Sequence, residues 1–299
     1  MANSTPDNPV FPAGAKALSG RSNLKAILLV VISFSIFSGC DVAVKLLAQS
    51  LPVPQVTFMV TAVALALSML HGLVSGGIRD IVPRYPALAI TRAVLLSVDT
   101  LLIYYAFSRL PLSEAYLLAF LTPVLVAILA FLLIGERLSG AGWAGVLLGF
   151  AGVGVALQPG VHPLNLGHLA AIGAALCFAL SLVLLRRTKA AESDAALLVS
   201  LMVVLMLMAL VMTLAGGGFE ELESHEWAVV LAGGTMMYAG HTLLVKAFRA
   251  GDASVVAPFQ YSQIIWGCLY GLLIFDTPIA PLTIAGAVLI TISGLLVLK

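Results

Sequence analysis

Charge is what this sequence has least of: only 10% of its 299 residues are Asp, Glu, Lys or Arg, against roughly 25% in an ordinary soluble domain. Since 61% are apolar, the chain cannot cover its own surface with polar groups, which excludes a soluble globule and points to a bilayer. A net charge of +1 leaves no basic footprint for nucleic acid. The three cysteines, Cys40, Cys177 and Cys268, each lie inside an apolar run, at neither metal-ligand nor disulfide spacing, and read as small packing residues. The chain also lacks an HExxH zinc pair, a GxSxG elbow and a GxxxxGK[ST] phosphate loop. An intramembrane enzyme would need a nucleophile with its base, or a metal cluster, and none is offered; no cofactor is expected. Neither half has a soluble domain that could hold ATP, so any driving force must be an ion or substrate gradient. Residues 1–23, rich in Pro, Gly, Ser and Asn, lack a signal h-region and a cleavage site and read as a disordered cytoplasmic tail.

What is present is a series of apolar runs, each of about 20 residues and enough to cross ~30 Å of hydrocarbon as a helix. They fall near 24–48, 54–75, 87–108, 112–134, 141–158, 166–186, 195–215, 227–248, 252–275 and 280–298. Spans in lipid must be helical, because no open backbone donor or acceptor finds a partner there. Ten spans put both termini on one side. Short loops rich in Lys and Arg stay cytoplasmic, and with cytoplasmic termini only Lys45 and Arg109 of the 15 basic residues fall outside. The expected location is the bacterial inner membrane.

The stretch Tyr104–Leu157 has a weaker copy beginning at Ala247. Ala106, Phe107, Ser113 and Gly145 map onto Ala247, Phe248, Ser254 and Gly286 at one constant separation of 141 residues. The acids Glu136 and Asp276 miss that separation by one, which reads as a single deletion. The domains are therefore 24–160 and 161–299. Five spans per half is odd, so the second copy enters from the opposite side and the repeats are inverted, a common construction of secondary transporters. The fold class is all-α, ten transmembrane helices as two inverted five-helix repeats. Gly145 and Gly149 form a GxxxG face, read as helix packing within the chain, with a homodimer left open.

Polar residues inside the spans are the candidate site. A charge at mid-span costs ~2.5–3.5 kcal/mol on insertion scales, so it asks for a partner or a water-filled cavity. Asp41 and Lys45, one helical turn apart, can neutralise each other and read as gating or coupling residues, joined by Arg92. Asp99, two turns from Arg92, is too short to reach water from mid-bilayer and reads as a proton or substrate site. His241 could titrate near neutral pH. Gln260, Gln263, Trp266 and Tyr270 share an arc of about 120° at 100° per residue, a stripe that could stack a planar ligand. Pro258 removes a backbone donor before it, and Pro123 does the same in the fourth span, beside Thr122 and Phe120, with Tyr116 one turn before Phe120.

The texts Tyr104-Tyr105-Ala106, Leu110-Pro111-Leu112-Ser113-Glu114-Ala115, Thr122-Pro123, Gly135-Glu136-Arg137, Ala257-Pro258-Phe259-Gln260-Tyr261 and Asp276-Thr277-Pro278 together resemble the drug/metabolite transporter superfamily, specifically its ten-span EamA-type members. The resemblance implies a basket of spans one to four and six to nine around a central cavity, with five and ten outside. That family usually has glycine before the second acid, where this chain has Phe275. Asp41, Lys45 and Arg92 resemble the branch containing riboflavin importers, S-adenosylmethionine transporters and metallophore exporters. The implied partner is a small-molecule substrate, a planar vitamin or nucleoside-like solute such as riboflavin, with export of amino acids, drugs or metallophores as the alternative.

Overall fold

The computed structural model describes residues 13–75, 81–135, 140–157, 164–187, 194–250, 257–277 and 281–297. Every regular element among them is helical: α1 (Ala13–Leu47), α2 (Val53–Ser75), α3 (Pro86–Arg109), α4 (Leu112–Ala119), α5 (Thr122–Ile134), α6 (Gly140–Leu157), α7 (Leu166–Arg187), α8 (Asp194–Ala215) and α9 (Ser224–Ala250). A 3₁₀ turn (Ala257–Ser262), α10 (Gln263–Phe275) and α11 (Pro281–Val297) complete it. Six segments, 24–47, 53–74, 86–109, 112–133, 166–184 and 195–215, are long and apolar enough to cross a membrane, and 140–155, 263–275 and 281–293 are shorter apolar helices.

Helix α1 begins at Ala13, inside the stretch read as tail, because Ala13-Gly14-Ala15-Lys16-Ala17-Leu18 is mostly strong helix former. At 1.5 Å per residue its 35 residues exceed the hydrocarbon thickness, so its start projects beyond the apolar layer. Residues 1–12 lie outside the described set.

The fourth predicted span is two helices, and proline is the reason. Pro123 has no N–H to give the carbonyl four residues back, which is that of Ala119. The Thr122 hydroxyl donates to the Ala119 carbonyl instead, at 2.7 Å, and α4 stops there while α5 starts at Thr122. In the ninth span the backbone around Pro258 winds as a 3₁₀ turn before α10 begins.

Packing between the halves survives their exchange. Helix α1 packs on α9 and α7 on α3; α2 packs on α9 and α8 on α3; α2 pairs with α8 and α6 with α11. Pairing α1 with α7, α2 with α8, α3 with α9 and α6 with α11 maps each of these contacts onto another or onto itself. Glycine permits the close approach of α6 and α11. A Cβ on Gly152 would sit 2.8 Å from Ile290 Cγ1 and 3.0 Å from the Gly286 carbonyl of α11, and Ser293 donates to the Gly145 carbonyl at 2.6 Å. The Gly145/Gly149 face thus packs within the chain.

The turns after α5 and α10 correct the reading of a deletion. Gly135 takes φ 76° and Asp276 takes φ 47°, and these two residues stand at the same separation of 141. The left-handed position is therefore preserved and its glycine replaced by aspartate, with nothing deleted. Asp276 ends α10, and the next residue's N–H reaches back to the Gly271 carbonyl at 2.9 Å. A left-handed L-residue costs roughly 1–2 kcal/mol, less for Asp. Asp276→Gly is accordingly expected to stabilise the protein by about 0.5–1 kcal/mol, read as a rise in Tm in detergent; no rise, or a fall, would show that the aspartate side chain has a compensating partner.

Candidate functional site

The site grows from the ends of α1 and α3. Helix α3 leaves its last carbonyls without intrahelical partners, and the Lys45 ammonium of α1 donates to two of them, Phe107 O and Leu110 O, both at 2.6 Å. The same ammonium lies 5.4 Å from the Phe275 ring centroid at the end of α10. Lys45 therefore ties α1, α3 and α10 together, and this is where its charge is spent. The expected neutralisation of Asp41 by Lys45 does not occur, because carbonyls at a helix C-terminus supply a ready cation site.

Asp41 pairs elsewhere. Its Oδ2 accepts from the Tyr116 hydroxyl at 2.5 Å, and both residues are buried. Tyr116 comes from α4 and stands edge-on to Phe107, ring centroids 5.5 Å apart. Its other side lies against Gly267 of α10, where any Cβ would run into the ring. Cys40, beside Asp41, is buried with Sγ 3.8 Å from the Tyr104 hydroxyl. All three cysteines are free. Asp41 and Tyr116, read separately as coupling and binding residues, form one unit.

A second group lies along α3, α7 and α9. Asp99 is half-buried, close enough to Cys177 of α7 to act on it electrostatically, and has no ion-pair partner among the described residues. His241 stands edge-on to Phe37 of α1 at 4.8 Å, within electrostatic reach of Arg92 on α3. On α10, Trp266 and Tyr270 stack at 6.0 Å and 27°, half-buried together with Gln263. The side chains of Gln260, Pro123 and Pro258 lie outside the described residues. Among those described, no cluster of three or more His, Cys, Asp or Glu could hold a metal.

Two cavities among the described residues lie elsewhere. One, of about 390 Å³, is lined by Ala48, Leu51, Pro52, Tyr105, Ser108 and Arg109 among others, with the Arg109 guanidinium 5.5 Å from the Tyr105 ring. The other, of about 260 Å³, is formed by Leu67, Leu70, His71, Val74 and Tyr238. Neither includes a candidate residue.

Three sets of polar contacts went unread in the sequence. Glu114 and His168 meet at 2.9 Å. Gln55 exchanges two hydrogen bonds with the Glu220 backbone, both 2.8 Å, while Glu226 accepts from the Ser50 hydroxyl and from the Glu223 N–H. Those two donors hold the Glu226 carboxyl below the usual range, and the acidic loop is thereby fastened to the turn between α1 and α2. Glu114 stood in a quoted motif, but nothing in the linear text pairs it with a histidine in the other half.

Long apolar helices, halves that pack interchangeably and ionisable side chains held among them define a polytopic membrane transport protein. The chain belongs to the EamA-like transporter family, which matches residues 24–158 and again 165–299. It is 26% identical over 272 residues to the pseudopaline exporter CntI of Pseudomonas aeruginosa, covering 89% of this chain and 93% of the exporter. It is also 27% identical to a riboflavin transporter of Rhizobium johnstonii, over 72% of this chain and 71% of that one. An S-adenosylmethionine uptake transporter of Rickettsia prowazekii is 26% identical over 69% of each. A crystal structure matches with a TM-score of 0.63 at 20% identity, covering 94% of this chain and 96% of the other, which speaks to the fold alone. The family and these relatives are transporters, not enzymes.

Proposed function

We propose that this chain is a secondary transporter of a small organic metabolite, working by alternating access between two inverted five-helix halves, 24–160 and 161–299. The observation that carries the reading is the packing that survives exchange of the halves: α1 on α9 answers α7 on α3, and α2 on α9 answers α8 on α3. Pseudo-symmetric halves can trade conformations, and so expose one site to either side in turn. The termini are cytoplasmic and the membrane is the bacterial inner membrane, on the strength of the Lys and Arg bias.

In this reading Asp99, Tyr116, His241, Gln260, Gln263, Trp266 and Tyr270 contact the solute, while Asp41, Lys45 and Arg92 gate or couple. The stacked Trp266 and Tyr270 rings suit a planar ring, and relatives named for riboflavin and S-adenosylmethionine favour a vitamin or nucleoside-like solute, riboflavin first. A second reading, export of a metallophore-like or amino-acid solute, is favoured by the exporter's match over 89% of the chain. Proteoliposomes loaded or bathed with riboflavin, S-adenosylmethionine or amino acids decide between them. Riboflavin flux is expected; flux only of amino acids or metallophores would select the second reading, and no flux of any solute by folded protein would overturn both.

A further inference from the structure

Glu114 and His168 join the first half of the chain to the second beside the Asp41 unit. His168 Nδ1 accepts the Asn165 backbone N–H at 3.0 Å. Nδ1 also lies 3.1 Å from Asn165 Oδ1, so Asn165 holds that ring nitrogen and leaves Nε2 to face Glu114 as the donor to its carboxyl oxygen. Nε2 is 2.9 Å from Glu114 Oε1. The turn that holds the imidazole is itself fixed. The Gly167 N–H donates to Asn165 Oδ1 at 2.7 Å, and a Cβ on Gly167 would lie 2.9 Å from Arg109 Cβ at the end of α3. His168 is buried while the Glu114 side chain keeps 30% of its exposure, so the pair is shielded on the imidazole side.

Helix α4 has 8 residues and is cut from α5 at the Pro123 break, so its rotation is set by its side-chain contacts rather than by a long helix. Glu114 lies in its first turn and Tyr116, two residues on, carries the hydroxyl that meets Asp41. We propose that Glu114 and His168 are positioning residues: their hydrogen bond fixes the rotation of α4 at which the Tyr116 hydroxyl seats on Asp41. This deepens the transport reading and rests on it for its functional meaning.

The test needs no solute. In full-length protein carrying Cys177→Ser and Cys268→Ser, reconstituted in liposomes, alkylation of buried Cys40 by N-ethylmaleimide reports whether the Asp41 unit is closed. Loss of one such hydrogen bond, about 1.4 kcal/mol, corresponds to about tenfold more open form, so Glu114→Ala and His168→Ala should each accelerate labelling about tenfold. The double variant should be no faster than either alone, and Tyr116→Phe should match them without adding to them. Glu114→Gln keeps an acceptor and His168→Gln keeps a donor, so both should label within about twofold of the parent while a hydrogen bond of this strength persists. Labelling of the alanine variants at the parent rate would overturn the proposal. So would glutamine variants as fast as the alanine ones, or effects that multiply in the double variant. Absence of flux with the labelling pattern intact would sink the transport reading alone.

Discussion

Asp41→Asn is expected to abolish flux driven by a pH gradient, lowering it about a hundredfold, while leaving downhill exchange of the same solute largely in place. The amide has the size of the carboxylate and can still accept the Tyr116 hydroxyl, so the fold around it should hold. What it cannot do is carry a proton. A carboxyl buried among apolar side chains, with a neutral phenol as its partner, is well placed to exchange a proton whenever water reaches it. Lys45 supplies no fixed counter-charge, since its ammonium is held on the carbonyls of Phe107 and Leu110. Tyr116→Phe should act in the same direction at lower amplitude, because a buried acceptor left unpaired costs ~1–3 kcal/mol. Flux measured in proteoliposomes with and without an imposed pH gradient checks this. Gradient-driven flux that survives Asp41→Asn but fails in Asp99→Asn would move the coupling to Asp99, and survival in both would leave a facilitator.

Trp266→Ala is the second large expectation: solute affinity should fall about ten- to a hundredfold, from ~1–3 kcal/mol of lost ring stacking. The indole stacks on Tyr270 and remains half-buried, so removing it takes a platform from the solute while opening little of the core. Trp266→Phe should recover part of the loss. Binding of riboflavin, followed by its fluorescence or by thermal shift, separates this from a structural role. Unchanged affinity with a large fall in Tm would make the stripe a glue between helices.

Much of this was legible in the linear text. The scarcity of charge and the spacing of the apolar runs fix a bundle of membrane helices, because a backbone in hydrocarbon must satisfy its own hydrogen bonds. Pro123 marks the break between α4 and α5 because the missing N–H is a property of the residue itself. The repeat was visible as one separation along the chain, and even the Gly135 to Asp276 exchange could have been found by keeping that separation constant across the turn. Asp41 and Lys45 illustrate the limit. Helical spacing correctly puts them on one face, but neighbours on a helix compete with partners from other helices, and the α3 carbonyls and the Tyr116 hydroxyl won.

By itself, then, the sequence determined the class, the duplication and which polar residues fall within apolar runs, since composition and period act locally and need no partner. Only the tertiary structure decided how those residues combine: Asp41 with Tyr116, Lys45 with the end of α3, Glu114 with His168. Each of these contacts joins residues that are 54 to 75 positions apart, and a hydrogen bond depends on distances of tenths of an ångström that helix packing sets and residue order does not.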